Sequence, residues 1–163
     1  MMDTKLQKSS NTMSVAEYNK KMKKKSGKKA SPEHDEQVFL FEWANVMQNK
    51  HPELKLLFAI PNGGQRNIVV ATRMKAEGVK SGVPDVFLAV PVARTSPEGM
   101  IEDMKAGLWI EMKAGKNKPS ANQKEWLDQL GDVGYQCEIC FSGKEAVDTI
   151  IDYLMLDEQK YED

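Results

Sequence analysis

Glu111, Met112 and Lys113 lie in an apolar stretch, Leu108 to Lys113, that reads as a strand. Side chains on a strand alternate, so Glu111 and Lys113 share one face while Ile110 and Met112 point the other way into a core. A carboxylate and an ammonium placed in this way can hold a metal ion and orient a water. The solvent-facing side of an ordinary strand would show the same triplet. Asp85 follows Pro84 at the mouth of a second apolar run, Val86 to Val90. A lone Pro-Asp is ordinarily a turn. If the two strand ends are adjacent, however, Asp85 falls beside Glu111, and two close carboxylates repel unless a cation sits between them. Hard oxygen ligands of this kind suit Mg²⁺ or Mn²⁺. Such an ion polarises a phosphodiester and activates water.

Two further residues sit where their chemistry is unexpected. Glu36 shares a helical stripe with Leu40, Trp43 and Met47. An acid on a buried face needs a partner. It is either a first-turn glutamate favoured by the helix dipole or a further metal-site carboxylate. Gln123 precedes Trp126, Leu127 and Leu130 on one helix face. Ser120-x-x-Gln123 is a capping box, and the same amide could also reach a catalytic water or a phosphate oxygen. Asn62-Gly63-Gly64-Gln65-Arg66 has turn chemistry, and its glycines would let the backbone approach a phosphate closely. Arg66, Arg73, Lys75 and Lys80 cluster on or beside the following helix, which makes this the folded candidate for DNA contact. Cys137-Glu138-Ile139-Cys140 has redox or zinc spacing, but on a strand the two thiols face opposite ways and read as ordinary cysteines.

The elements that must position these residues alternate in type. A helix opens at Ser31-Pro32 and fades near Asn49, and His51-Pro52 breaks it. Leu56 to Ile60 reads as a buried strand closed by the Pro61-Asn62-Gly63-Gly64 turn. A second helix is expected from about Asn67 to Glu77, with Gly78 as its stop. The strands Val86–Val90 and Leu108–Lys113 enclose a loop or hairpin at 92–106. Ser120 opens a third helix that exits between Gly131 and Gly134. Tyr135–Phe141 is a fourth strand, and a last helix runs from Glu145 to about Leu154. The pattern predicts an α/β domain with a central mixed four-stranded sheet flanked by helices.

The 163 residues suit one domain, and no apolar run approaches the roughly 18 residues a membrane span requires. Two cysteines form no disulfide framework, so a reducing, cytoplasmic setting is expected. A net charge of −1 hides a split. Residues 1–30 hold nine lysines against Asp3 and Glu17, a balance of +7, while the rest carries 14 basic and 22 acidic residues, a balance of −8. This arrangement of a lysine-rich tail (1–30) and an acidic domain (31–163) points to a polyanionic partner. The tail reads either as a solvated arm or as a phosphate-contacting one, and in a eukaryote its lysines would also suit nuclear localisation.

Taken together, these stretches resemble the VRR-NUC (virus-type replication-repair nuclease) family, a branch of the PD-(D/E)XK nucleases. The resemblance rests on Pro61-Asn62-Gly63-Gly64, on Gly78-Val79-Lys80-Ser81-Gly82-Val83-Pro84-Asp85 and on Gly107-Leu108-Trp109-Ile110-Glu111-Met112-Lys113. It continues through Ser120-x-x-Gln123-x-x-Trp126 and Gly134-Tyr135, covering residues 32 to about 154. It implies a restriction-endonuclease-like core, metal binding by Asp85, Glu111 and the Met112 carbonyl, and Lys113 near the attacking water. Glu36 matches the acid on the family's first helix. The family includes the nuclease domain of the Fanconi-associated nuclease and stand-alone phage domains. The latter resemble junction-resolving enzymes and act as dimers. The chain's length places it with the stand-alone type, expected in a bacterial or phage-infected cell. The lysine-rich tail is not part of the family pattern.

The resulting expectation is a Mg²⁺- or Mn²⁺-dependent DNA endonuclease, selective for branched or junction DNA and working as a homodimer. Its rivals are a non-catalytic DNA-binding accessory protein that keeps the fold and an RNA-processing nuclease. Deleting residues 1–30 is expected to weaken DNA affinity and to flatten its salt dependence, because fewer counterions are released. An unchanged slope of log affinity against log salt would return the tail to the role of a solvated arm.

Overall fold

The computed structural model describes residues 32–61 and 68–156. The lysine-rich tail and Asn62, Gly63, Gly64 and Arg66 lie outside the described residues. Helix α1 (Pro32–Met47) buries Leu40, Trp43, Ala44 and Met47, the stripe its spacing predicts. The proline at 52 does break the helix, but the chain then makes a 3₁₀ turn, Pro52–Leu56, with Pro at its start. A proline there loses nothing, because the first N–H of a helical turn has no internal acceptor. The turn takes Leu56 from the predicted strand, leaving β1 as Leu57–Ala59. Pairing still extends past both ends of β1: Ala89 N–H donates to the Leu56 carbonyl and Ile60 N–H to the Asp85 carbonyl.

Helix α2 (Ile68–Ala76) follows, with no buried residue, and the chain turns beyond it at Gly78. Then come β2 (Val86–Leu88), β3 (Val92–Thr95), β4 (Ile101–Lys105) and β5 (Leu108–Met112). Helix α3 (Ala121–Asp132), β6 (Gln136–Cys140) and α4 (Gly143–Leu154) complete the order. The 92–106 excursion is a hairpin, β3 against β4, in a sheet of its own. The main sheet has the order β1-β2-β5-β6. Its first two pairings are antiparallel and β5–β6 is parallel, so the sheet is mixed as predicted. A parallel neighbour requires a crossover, and α3 is that crossover. It ends at Asp132, between Gly131 and Gly134 as expected.

Central strand β5 is buried along almost its whole length, and its Leu108, Ile110 and Met112 belong to the same core as Leu40, Ile150 and Tyr153. Helices α1 and α4 pack on each other and on β5, while α3 packs on β6. The α1–α4 approach requires a glycine: a Cβ on Gly143 would lie 2.6 Å from the Glu36 carbonyl oxygen and from the Phe39 ring. Ser142 caps α4 by accepting Glu145 N–H. Cys137 and Cys140 are free thiols on β6, and Cys140 is buried within 3.5 Å of the Thr149 hydroxyl. Burial pushes both thiols up to about 11, away from the thiolate that redox or zinc chemistry needs. Among the described residues, no helix is long and apolar enough to cross a membrane.

Candidate active site

The β2–β5 register brings the two predicted acids together. Val86 pairs with Ile110 and Phe87 with Trp109. One step further along the same register, Asp85 stands opposite Glu111. Opposed residues of an antiparallel pair project to the same face. Asp85 is held at two points: its carbonyl accepts Ile60 N–H at 2.8 Å, and its Oδ2 accepts Met112 N–H at 3.0 Å. The Pro-Asp is therefore a strand entry, not a loose turn.

Glu111 is completely buried and Lys113 is 7% exposed, so the E-x-K face is not the solvent-facing side of a strand. Lys113 Nζ donates to Glu111 Oε1 at 2.6 Å and to the Met112 carbonyl at 3.2 Å. Gln123 does two jobs. Its Oε1 accepts Ser120 N–H and its own N–H donates to Ser120 Oγ, completing the capping box. Its Nε2 donates to Glu111 Oε1. That oxygen thus receives two donors, whereas Glu111 Oε2 is buried and receives none.

A buried carboxylate oxygen without a donor is costly, and the titration of the pair reflects that. Burial, and then the charge of Asp85, push the Glu111 carboxyl up to about 7, against the opposing pull of Lys113. Burial also raises Asp85, and the negative charge of Glu33 adds to the rise, while the Met112 N–H and Lys113 resist it. Each carboxyl thus holds its proton more tightly than an isolated one would. A cation can replace that proton. The donor set is two carboxylates and the Met112 carbonyl, all hard oxygens, which fits a divalent ion such as Mg²⁺ or Mn²⁺. Among the described residues, no group of three or more His, Cys, Asp or Glu side chains forms a metal cage. Any ion here would complete its shell with backbone oxygen, water or substrate.

With this geometry, the chain can be set beside known proteins. The VRR-NUC domain family model matches residues 19–143, more than half of the chain. The protein belongs to the VRR-NUC family. A solved structure described as a VRR_NUC domain protein superimposes with a TM-score of 0.59 at 24% identity, covering 79% of this chain and 93% of that one. At that identity the likeness speaks to the fold. Among curated proteins nothing matches significantly. Membership makes this a nuclease-family domain whose substrate is DNA.

The other predicted positions of this VRR-NUC domain among the described residues are Glu36, Arg73, Lys75 and Lys80. Glu36 Oε2 accepts Gly143 N–H at 2.6 Å, at the first turn of α4, so that oxygen is engaged with a helix N-terminus. The α1 acid whose charge reaches Asp85 is Glu33, whose Oε1 accepts Asn117 Nδ2 at 3.0 Å. Glu33 lies on the same side of α1 as Glu36, but at the helix start it precedes the apolar residues that drew notice to Glu36. Its position one helical turn before Glu36 was the available signal. Arg73 and Lys75 are exposed on α2, and Arg73 is paired with Glu77 at 2.8 Å. Lys80 lies over the Trp126 ring, 5.7 Å from its centre.

The pair makes a prediction about pH. A carboxyl whose folded pKa lies above its unfolded value costs stability as it ionises. Without a cation, this pair therefore destabilises the fold progressively as pH rises from about 4.5 to about 7. Asp85→Asn removes the repulsion. The variant is expected to gain in melting temperature relative to wild type as pH rises through about 7, measured by thermal melts in a chelating buffer. A constant difference between the two proteins across that range would mean that the carboxylates do not interact.

Proposed function

We propose that this VRR-NUC protein is a divalent-cation-dependent DNA endonuclease that hydrolyses phosphodiester bonds, preferentially in branched or junction DNA. One observation carries the reading. Glu111 Oε2 is buried without a donor, in a carboxyl opposite Asp85. A purely structural glutamate in that place would be paired through both oxygens or replaced by an apolar residue.

In this reading Asp85, Glu111 and the Met112 carbonyl hold Mg²⁺ or Mn²⁺. The bound ion supplies Lewis-acid polarisation of the phosphate and a more acidic water. The residues of the chain do the positioning. Lys113, fixed between Glu111 Oε1 and the Met112 carbonyl, offers an ammonium to the attacking water and to the charge that grows on the phosphate oxygens. Gln123 fixes the rotation of the Glu111 carboxylate by engaging Oε1, which leaves Oε2 for the ion. Glu33 lies near enough to add negative charge to the site, as a third carboxylate on its α1 side. Asn62, Gly63, Gly64, Arg66, Arg73, Lys75 and Lys80 are the proposed DNA contacts. The intact Asp85, Glu111 and Lys113 set supports catalysis over a binding-only role.

The test is a cleavage assay on duplex, flap, splayed and four-way-junction DNA with Mg²⁺ or Mn²⁺. Asp85→Asn and Glu111→Gln are each expected to lower the rate by roughly a hundredfold or more while DNA binding persists, because loss of an ion-holding carboxylate removes several kcal/mol of charge stabilisation. Either variant cutting at the wild-type rate would show that the site is misassigned.

The proposed working unit is a homodimer, because paired cuts in a four-way junction need two sites related by a two-fold axis. An acidic domain also gains basic surface by pairing. Exposed Ile68 and Val70 on α2 and Phe58 on edge strand β1 supply apolar surface in support. Light scattering at micromolar concentration is expected to give twice the chain mass. A monomer that still makes paired cuts would leave assembly on DNA as the route.

A further inference from the structure

Helix α3 touches the segment that leads into Asp85 as well as Glu111. Asn122 and Trp126 are one helical turn apart, so they share a face. Both donate to the same acceptor, the Ser81 carbonyl: Asn122 Nδ2 at 2.8 Å and Trp126 Nε1 at 3.1 Å. The Asn122 amide also reaches the Ser81 hydroxyl at 3.3 Å. The fit is tight. Gly82 has φ +85°, and a Cβ there would stand 2.3 Å from Asn122 Nδ2 and 3.1 Å from the Trp126 ring. Gln123, the residue after Asn122, is turned toward the sheet and donates to Glu111 Oε1.

One helical turn therefore grips both halves of the carboxylate pair, Glu111 directly and Asp85 through the loop that delivers it. We propose that Asn122 and Trp126 are positioning residues. Their shared hold on the Ser81 carbonyl keeps Asp85 opposite Glu111 against the repulsion between the two carboxylates, and so sets the protein's affinity for the divalent ion. The mechanical need is plain in the fold. Strand β2 has three residues, and Asp85 enters it from a segment that turns at Gly78 and again at Gly82. Such a segment yields easily. Repulsion between ionised carboxylates would draw Asp85 away and break its bond from Met112 N–H unless something outside the sheet resists. Outer-sphere hydrogen bonds of this kind commonly alter metal affinity by about 10–100-fold. The inference rests on the reading of Asp85 and Glu111 as the ion-holding pair.

The test has one readout that needs neither ion nor DNA. Amide hydrogen exchange is measured on wild type, on Asn122→Ala with Trp126→Phe, and on Gly82→Ala, which crowds the same contact from the other side. The Met112 amide, bonded to Asp85 Oδ2, is expected to exchange at least about tenfold faster in both variants. The neighbouring Lys113 amide, bonded to the Cys140 carbonyl, is expected to stay protected. Calorimetric titration with Mn²⁺ is expected to show roughly tenfold weaker binding. In the cleavage assay, the half-saturating Mn²⁺ concentration should rise while the maximal rate at saturating Mn²⁺ holds. Equal acceleration of both amides, or unchanged Met112 exchange, would overturn the proposal. So would wild-type Mn²⁺ affinity in variants whose Met112 amide has loosened. A wild-type protein that binds no Mn²⁺ and cuts nothing would overturn the nuclease reading as well, whereas the exchange data would still show whether the clamp holds Asp85.

Discussion

Asp85, half-buried, and Glu111, fully buried, face each other across the β2–β5 pair. Two carboxylates in that position repel, and the repulsion grows as solvent is removed. Much of the surrounding structure answers that one constraint. Lys113 and Gln123 both donate to one oxygen of Glu111, and Met112 N–H donates to Asp85. What they leave over is Glu111 Oε2, buried and without a donor. Burial first, and then the charge of Asp85, raise the Glu111 carboxyl to about 7.

The sheet topology makes this arrangement reachable. Antiparallel pairing of β2 with β5 sets the two acids opposite each other. Parallel pairing of β5 with β6 demands a crossover, and the crossover helix α3 brings Gln123, Asn122 and Trp126 to the same end of the sheet. The other face of the sheet is closed by α1 and α4, where Leu40, Ile150 and Tyr153 are fully buried against the central strand. That apolar packing anchors β5 and makes it a rigid mount for Glu111. The close α1–α4 approach at Gly143, with the Glu36 bond to its N–H, belongs to the same scaffold.

A site built from acids in an acidic domain must still meet a polyanion. Lys113 is the one positive charge the described residues place in direct contact with Glu111. A divalent ion would reverse the local sign of the field, which is how such a site turns a liability toward phosphate into an attraction. Lys80, stacked over Trp126, lies beside the same clamp, so the α3 face joins a basic side chain to the elements that order the carboxylates.

Local pattern was enough to read the strand–helix order, the mixed sheet, the E-x-K strand and the strand-opening Asp85, because alternation, apolar runs and turn residues are written into adjacent positions. The capping box at Ser120 and Gln123 was legible for the same reason. Which α1 acid reaches Asp85 was not. Glu33 and Glu36 lie one turn apart, and their roles depend on where α4 and the Asn117 loop arrive, elements more than 80 residues away in the chain. The burial of Glu111 and Lys113 was equally hidden, since E-x-K reads the same on a wet strand as on a covered one. The double grip on Ser81 needed the fold outright: its donors lie more than 40 residues from their acceptor, and no sequence spacing encodes that meeting. Periodicity is a property of neighbours, so the sequence by itself determined the elements and their faces. Partnership between distant side chains is set by how those elements pack, and only the tertiary structure decided it.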